Sequence, residues 1–270
     1  MGLTRWEWIF HKHEMVYKAI RACWDESDQR LRTWDENRIT GDVLRAIGTS
    51  GTASWSGNIC QASWQVFQAY GDYETENGDI ALKVVLSTLQ GDVLEGVKHF
   101  EAKAADPNTG EYAAIRKGQF NRVAGSVGHE VLLYTLWKDF GDGPFFRGAG
   151  SLPTPLAAGL VPGGHIALNA NAFSFVRVLA EALCGRGLET DQQRIASFQA
   201  ELNKVDSRYT DTSPLNDSFQ RPTFFMEAHI AVGEGLVPRQ NFEPPGAYAP
   251  LPDVASDYDR PSNYPGPAGF

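Results

Sequence analysis

The chain has 270 residues, a hydrophobic fraction of 42% and a formal net charge of −9. That is enough apolar material for one large core or two small ones, while the acidic balance argues against a broad phosphate-binding surface, so no nucleic-acid partner is expected. Three widely spaced cysteines (Cys23, Cys60, Cys184) and no Cys-x-x-Cys exclude a disulfide framework and a structural zinc site, and neither a metal nor a cofactor is expected.

The first fifteen residues, MGLTRWEWIFHKHEM, are too charged for a Sec signal peptide. No apolar run approaches the ~18 residues of a transmembrane helix, so membrane insertion is not expected. The expectation is a soluble protein, cytoplasmic or assembled into a particle. Thr4 and Glu7 form a capping box. Behind it Trp6, Ile9, Phe10, His13, Val16, Tyr17, Ile20 and Trp24 recur at three and four residues, which predicts an amphipathic helix to about Trp34. A shorter helix is predicted over 41–47, followed by a Gly-Ser-Thr loop over 48–57.

Asn58 then fits a cap for a helix carrying Ile59, Trp64, Phe67 and Tyr70, stopped at Gly71. Asp79 fits a cap for a helix over 80–89, and Asp92 with Glu95 opens another through Phe100. Residues 106–110, DPNTG, are a turn. From 131 to 137 the residues are almost all apolar, a pattern that fits a helix or a buried strand equally. Long glycine- and proline-rich loops cover 139–164. Asn171 fits a cap for a helix with Phe173, Val176, Leu179 and Leu183 inward, and Thr190 for one with Ile195, Phe198 and Leu202 inward. A short last helix is predicted over 223–232.

After Val232 the composition changes. Eight of the fifteen prolines lie between Pro238 and Phe270, and no lysine follows Lys204. Each proline removes a backbone donor and restricts its neighbour, so helix and central strand are both excluded. The expected fold class is mainly α: an irregular multi-helix body over 1–232, subdivided near 140–170, with long loops, a minor β element near 131–137 and 165–168, and an extended proline-rich arm over 233–270.

Cys60 and His129 are the sharpest catalytic candidates. A cysteine at a helix N-terminus, in SGNICQASWQVF, has a lowered thiol pKa. A histidine before an apolar strand, in GSVGHEVLLY, can take its proton, and Asp139 or Asp142 can orient the imidazole. In that order of elements, and over those residues alone, the chain resembles papain-like peptidases and amidases, which implies a cysteine hydrolase. A helical metal-binding oxidoreductase would need paired Glu-x-x-His motifs, and none is present. Only looser pairs occur: His11 with Glu14, Glu95 with His99, and Glu227 with His229. The glycine-rich segments carry no P-loop, dinucleotide or Gly-x-Ser-x-Gly signature.

An ordered proline-rich tail needs a surface to lie on, and its spaced aromatics suit a groove. Composition therefore favours a non-enzymatic subunit of a larger complex, such as a head-to-tail connector or minor capsid protein of a virion, bound to other copies or other proteins. Its contact residues would be Trp55 in the Gly-Ser loop and Phe242, Tyr248, Tyr258, Tyr264 and Phe270 in the arm.

Overall fold

The computed structural model describes residues 4–29, 34–55, 59–69, 79–106, 108–109, 111–112, 115, 128–135, 148–152, 173–203, 222–246 and 248–252. Among them are four helices, α1 (Arg5–Gln29), α2 (Glu36–Ile47), α3 (Phe175–Ala182) and α4 (Gln192–Asn203). The rest is built on nine strands: β1 (Ser50–Trp55), β2 (Cys60–Ala69), β3 (Ile80–Thr88), β4 (Val93–Ala104), β5 (His129–Tyr134), β6 (Ala149–Leu152), β7 (Phe173–Ser174), β8 (Phe224–Val232) and β9 (Tyr248–Pro250).

All nine belong to one mixed sheet, ordered β1-β2-β8-β3-β4-β5-β6-β7. β9 pairs with β2 beyond the end of β1 and so continues the same edge. Two pairs are parallel, β3 with β8 and β4 with β5. The others are antiparallel. The expectation of a mainly α fold is therefore overturned: the segments read as helices over 58–71, 80–89, 92–100 and 223–232 are the central strands.

The physical reason is two-sided burial. Helices α1, α2 and α3 contribute to one large cluster with Trp64, Leu82, Phe100, Leu132 and Met226 of the sheet. A second cluster joins Phe67, Ala81 and Phe225 to Leu202 of α4 and to Tyr248. Strands covered on both faces lose the strict period-2 alternation that marks a strand. In β2 the buried positions include Trp64, Val66 and Phe67, which imitates helical spacing. The apolar run at 131–137 begins as a strand, β5, while 165–168 lie outside the described residues.

Where the helices are correctly expected, local chemistry fixes them. Thr4 N donates to Glu7 Oε2 (2.6 Å), and Glu7 N to Thr4 Oγ1 (3.3 Å), the reciprocal capping box. α3 starts later than expected, capped by Ser174 rather than Asn171: its Oγ accepts from Arg177 N at 3.1 Å. Trp8 on α1 meets Trp55 and Trp64 edge-on, at 5.6 and 6.0 Å between ring centroids, which seats α1 on β1 and β2.

Gly51 lies opposite Trp64 in the β1–β2 ladder. A Cβ there would stand 2.3 Å from Trp64 Cζ2. The indole is fully buried and its Nε1 donates to Gly48 O, so it has nowhere to move. Gly41, on α2, has room, with its nearest neighbour Phe224 Cζ at 3.5 Å. Gly51→Ala is expected to destabilise the fold by about 1–3 kcal/mol through overpacking. Gly41→Ala should be neutral or stabilise by about 0.5–1 kcal/mol, as glycine is costly within a helix. Urea unfolding of both variants checks the contrast.

Candidate active site

Four buried or half-buried ionisable side chains gather where β3 begins and β4 ends: Glu36, Asp79, Glu101 and Lys103. Each is placed by a local device. The Asp35 carboxylate accepts from Asn37 N (3.0 Å) and Arg38 N (3.1 Å), an N-cap that starts α2 and makes Glu36 its first residue. One turn on, Thr40 Oγ1 donates to Glu36 O (2.7 Å) and accepts from Tyr134 OH of β5 (2.9 Å). α2 is thereby pinned to the sheet with Glu36 facing the end of β4.

Asp79 immediately precedes β3. Its N–H donates to Phe100 O, its carbonyl accepts from Phe224 N, and its Oδ2 accepts from Ala102 N at 2.6 Å. The β3–β4 register ends with Ile80 opposite Phe100, so Asp79 stands at the end of the ladder, near enough to Glu101 to feel its charge. Glu101 and Lys103 are two apart on β4 and share a face. Lys103 Nζ donates to Ala102 O (2.6 Å) and to Glu36 Oε1 (3.3 Å), and Ala104 N donates to Glu36 Oε2 (3.3 Å).

Three carboxylates against one ammonium give this cluster a net charge of −2 when all are ionised. Burial is the main reason that Asp79 holds its proton up to about 8; the negative charges of Glu36 and Glu101 add to it, while Lys103 and the Ala102 N–H work the other way. Burial also raises the Glu36 carboxyl, against the pull of Lys103. Two carboxyl groups destabilised in their charged forms at one place mark a candidate functional site.

A second buried ionic group is balanced. Lys98 Nζ donates to Glu130 Oε1 (2.5 Å) and Gly187 O (2.9 Å), and Ser151 Oγ donates to Glu130 Oε2. That is one cation against one anion, with the carboxylate oxygens satisfied. Ser174 Oγ lies 2.6 Å from His13 Nε2, but both are buried and the contact fastens α1 to the start of α3. A recess of about 350 Å³ lies at the β1–β2 edge of the sheet, among Trp8, Thr52, Ser54, Gln61 and Pro238. No ionisable side chain lines it, so it offers no chemistry.

The residues expected from sequence are placed as follows. Cys60 opens a strand, not a helix, so the N-terminal dipole invoked for its thiol is missing. His129 opens β5. With β8, β3 and β4 between β2 and β5, the two are separated by roughly 19 Å across the sheet at ~4.8 Å per strand, and further along it, since Cys60 is level with Thr88 of β3 and His129 with Ala81; the structure does not bring them together. Asp139 and Asp142 lie outside the described residues, as do Tyr258, Tyr264 and Phe270. Trp55 is buried in the main core. Phe242 packs beside the α4-side cluster and meets His229 edge-on at 5.2 Å. Tyr248 is buried, with its hydroxyl donating to Pro222 O at 2.6 Å. Residues 248–250 of the expected arm thus pair with this chain's own sheet. Among the described residues no group of three His, Cys, Asp or Glu side chains is arranged to enclose a metal ion, and no helix is long and apolar enough to cross a membrane.

None of the four cluster residues was expected from sequence. A signal exists in FEAKA, where Glu101 and Lys103 alternate with Phe100, Ala102 and Ala104. It is visible only once 93–104 is read as a strand. No known protein family, curated protein or solved structure matches this chain. The terms virion and structural protein, suggested by composition, find no support there, and the term α-helical is corrected by the sheet.

The proton on Asp79 has a thermodynamic consequence. The folded-state pKa of about 8 stands far above the model-peptide value near 3.8. The folded state therefore holds a proton that the unfolded state has lost, and stability falls as pH rises from about 4 to about 8, then levels off. Asp79→Asn keeps an acceptor for Ala102 N and removes the ionisation. It is expected to raise stability at pH 8 by a few kcal/mol and to have a smaller effect near pH 4, measured as the difference between variant and parent in chemical denaturation at each pH.

Proposed function

We propose that the Glu36, Asp79, Glu101 and Lys103 cluster is the active site of a divalent-cation-dependent phosphodiester hydrolase. The observation that carries this reading is the gathering of three carboxyl groups, two of them raised mainly by burial, around one ammonium at one end of the β3–β4 hairpin. Carboxyl groups held by the backbone of two strands and the first turn of a helix are suited to a hard cation.

Asp79 and Glu101, near each other at the end of the β3–β4 ladder, would supply the anionic ligands. Two carboxylates are a usual protein contribution to a magnesium site, the remaining positions being taken by water and phosphate oxygen. A bound cation lowers the pKa of coordinated water and polarises a phosphoryl oxygen. Lys103 is held against the same place by Glu36 and the Ala102 carbonyl. Its ammonium offsets charge developing on the phosphoryl group. With a divalent ion present the four side chains and the ion sum to zero, which accommodates the single charge of a phosphodiester at less cost than the double charge of a monoester.

The chain's net charge of −9 disfavours extended contact with a polyanion, so recognition in this account is concentrated at the cation. Hydrolysis of bis(p-nitrophenyl) phosphate and of short single- and double-stranded oligonucleotides, with Mg²⁺ or Mn²⁺ and with chelator, tests it. Asp79→Asn, Glu101→Gln and Lys103→Met are each expected to lower kcat/KM by about 10²-fold or more. Folding is not the confounder for Asp79→Asn, since that variant should be the more stable protein. Hydrolysis that survives both carboxylate substitutions, or no cation-dependent hydrolysis of any of these substrates, would remove the proposal.

A further inference from the structure

The two ends of the strand order are built differently. At one end β7 has two residues and runs straight into α3, too short to template another strand. At the other end β1 has six, Ser50–Trp55, and among the described residues no strand pairs with its outer side. Natural sheet edges are guarded by lysine, proline, a bulge or a covering element. The β1 sequence SGTASW has no charged residue and no proline, and its register with β2 runs from Ser50 to Trp55 without a bulge. No ionisable side chain lines the recess beside it.

Hydrogen-bond parity tells which backbone groups face outward. Thr49 O accepts from Val66 N at 2.7 Å, and on the far side of β2 Ile59 O accepts from Gly233 N. Even-numbered residues of β2 therefore bond toward β1, and through the register their partners are Gly51, Ala53 and Trp55. The N–H and C=O groups of Ser50, Thr52 and Ser54 point away from β2. Ser50 and Thr52 are exposed, and Ser54 is half-buried.

We propose that β1 is a docking edge for β1 of a second copy of this chain, paired antiparallel about a twofold axis at Thr52. The strand is self-complementary about that residue. Thr52 meets Thr52 of the second copy, each N–H donating to the other's carbonyl. Ser50 meets Ser54 of the second copy, and Gly51 meets its Ala53. Side chains alternate across a strand, so one face of the junction carries only hydroxyl pairs, which favour cross-strand association. The other carries only glycine and alanine, with no bulk to hold the strands apart. An uncharged edge also lets two chains of net charge −9 meet where neither carries charge. A strand with charged or bulky side chains would match neither face, and this selects a second copy as the occupant. Pairing uses both β1 edges, and the two ends left over are the short β7 strands, so the assembly closes as a dimer.

The test is sedimentation of the full chain from roughly 1 to 500 µM, the range of a small interface, with hydrogen exchange of peptides spanning 49–55 at both ends of that range. The mass is expected to rise from 29.7 kDa toward twice that value, and exchange over 49–55 to slow as it does. Thr52→Lys sets like charges face to face, and Thr52→Pro removes an N–H that β2 does not use. Each is expected to raise the dimer Kd by about ten-fold or more. Gln90→Lys adds the same charge at an exposed position in the β3–β4 turn and should leave the Kd unchanged. A parent protein that stays monomeric throughout, or that associates with unchanged exchange over 49–55, would overturn the proposal, as would a dimer that survives Thr52→Lys. The first two outcomes are read from the parent protein, so they do not depend on the variants folding.

Discussion

Asp79 closes the β3–β4 ladder with its side chain. Where β3 starts, Ala102 N has no strand partner of its own there, and the Asp79 carboxylate takes that role at 2.6 Å. The same residue donates to Phe100 O and accepts from Phe224 N, so one residue joins β4, β3 and β8 at the centre of the sheet. Glu101 and Lys103 are delivered to this point because β4 continues past the end of β3. Glu36 is delivered because Asp35 starts α2 at the right place. Removing the Asp79 anchor would loosen the sheet and the site together.

The arrangement stores an electrostatic cost. Carboxyl groups in a poorly solvated place favour their neutral forms, and like charges opposite one another across a strand pair repel. A protein selected for stability alone would replace one of them with an amide. Retaining them makes sense if a cation occupies the site during function, since the ion favours the charged forms and the protons leave. This is the usual opposition between stability and activity at a site built to bind charge. Lys98, Glu130 and Ser151 sit on the same sheet and show the alternative outcome, a polar network satisfied internally.

Sequence made local features legible and the sheet illegible, for one physical reason. A capping box and an amphipathic stripe are written within one segment, so α1 is expected and found. Strand identity in a sheet covered on both faces is written in pairings between distant segments. Cys60–Ala69 reads as a helix because Trp64 and Phe67 are three apart, yet Phe67 faces α4 while Trp64 faces α1. Asp79 has the residue type of a helix cap, and it does satisfy a backbone N–H, but one twenty-three residues away on another strand. With 93–100 read as a helix, the alternation of Glu101 and Lys103 with Phe100 and Ala102 had no strand to belong to. The proline-rich composition after Pro238 correctly excludes helix and strand over 239–246. What it does not contain is the docking partner, which is the chain's own β2 for Tyr248 to Pro250. A cysteine and a histidine in one chain suggested a dyad, but only the strand order could show that three strands separate them.

The central claim is that a divalent cation binds between Asp79 and Glu101. The most direct measurement is carbon NMR of the full chain with labelled Asp and Glu side-chain carboxyls, titrated with Mn²⁺ and then with competing Mg²⁺. The account predicts that the Asp79 and Glu101 signals broaden first and recover as Mg²⁺ is added. It also predicts that the ionisation midpoint of Asp79 falls from about 8 when Mg²⁺ is present. If those signals stay sharp while exposed carboxylates such as Asp106 and Glu111 broaden, and the Asp79 midpoint does not move with Mg²⁺, the cluster is not a cation site and the account is wrong.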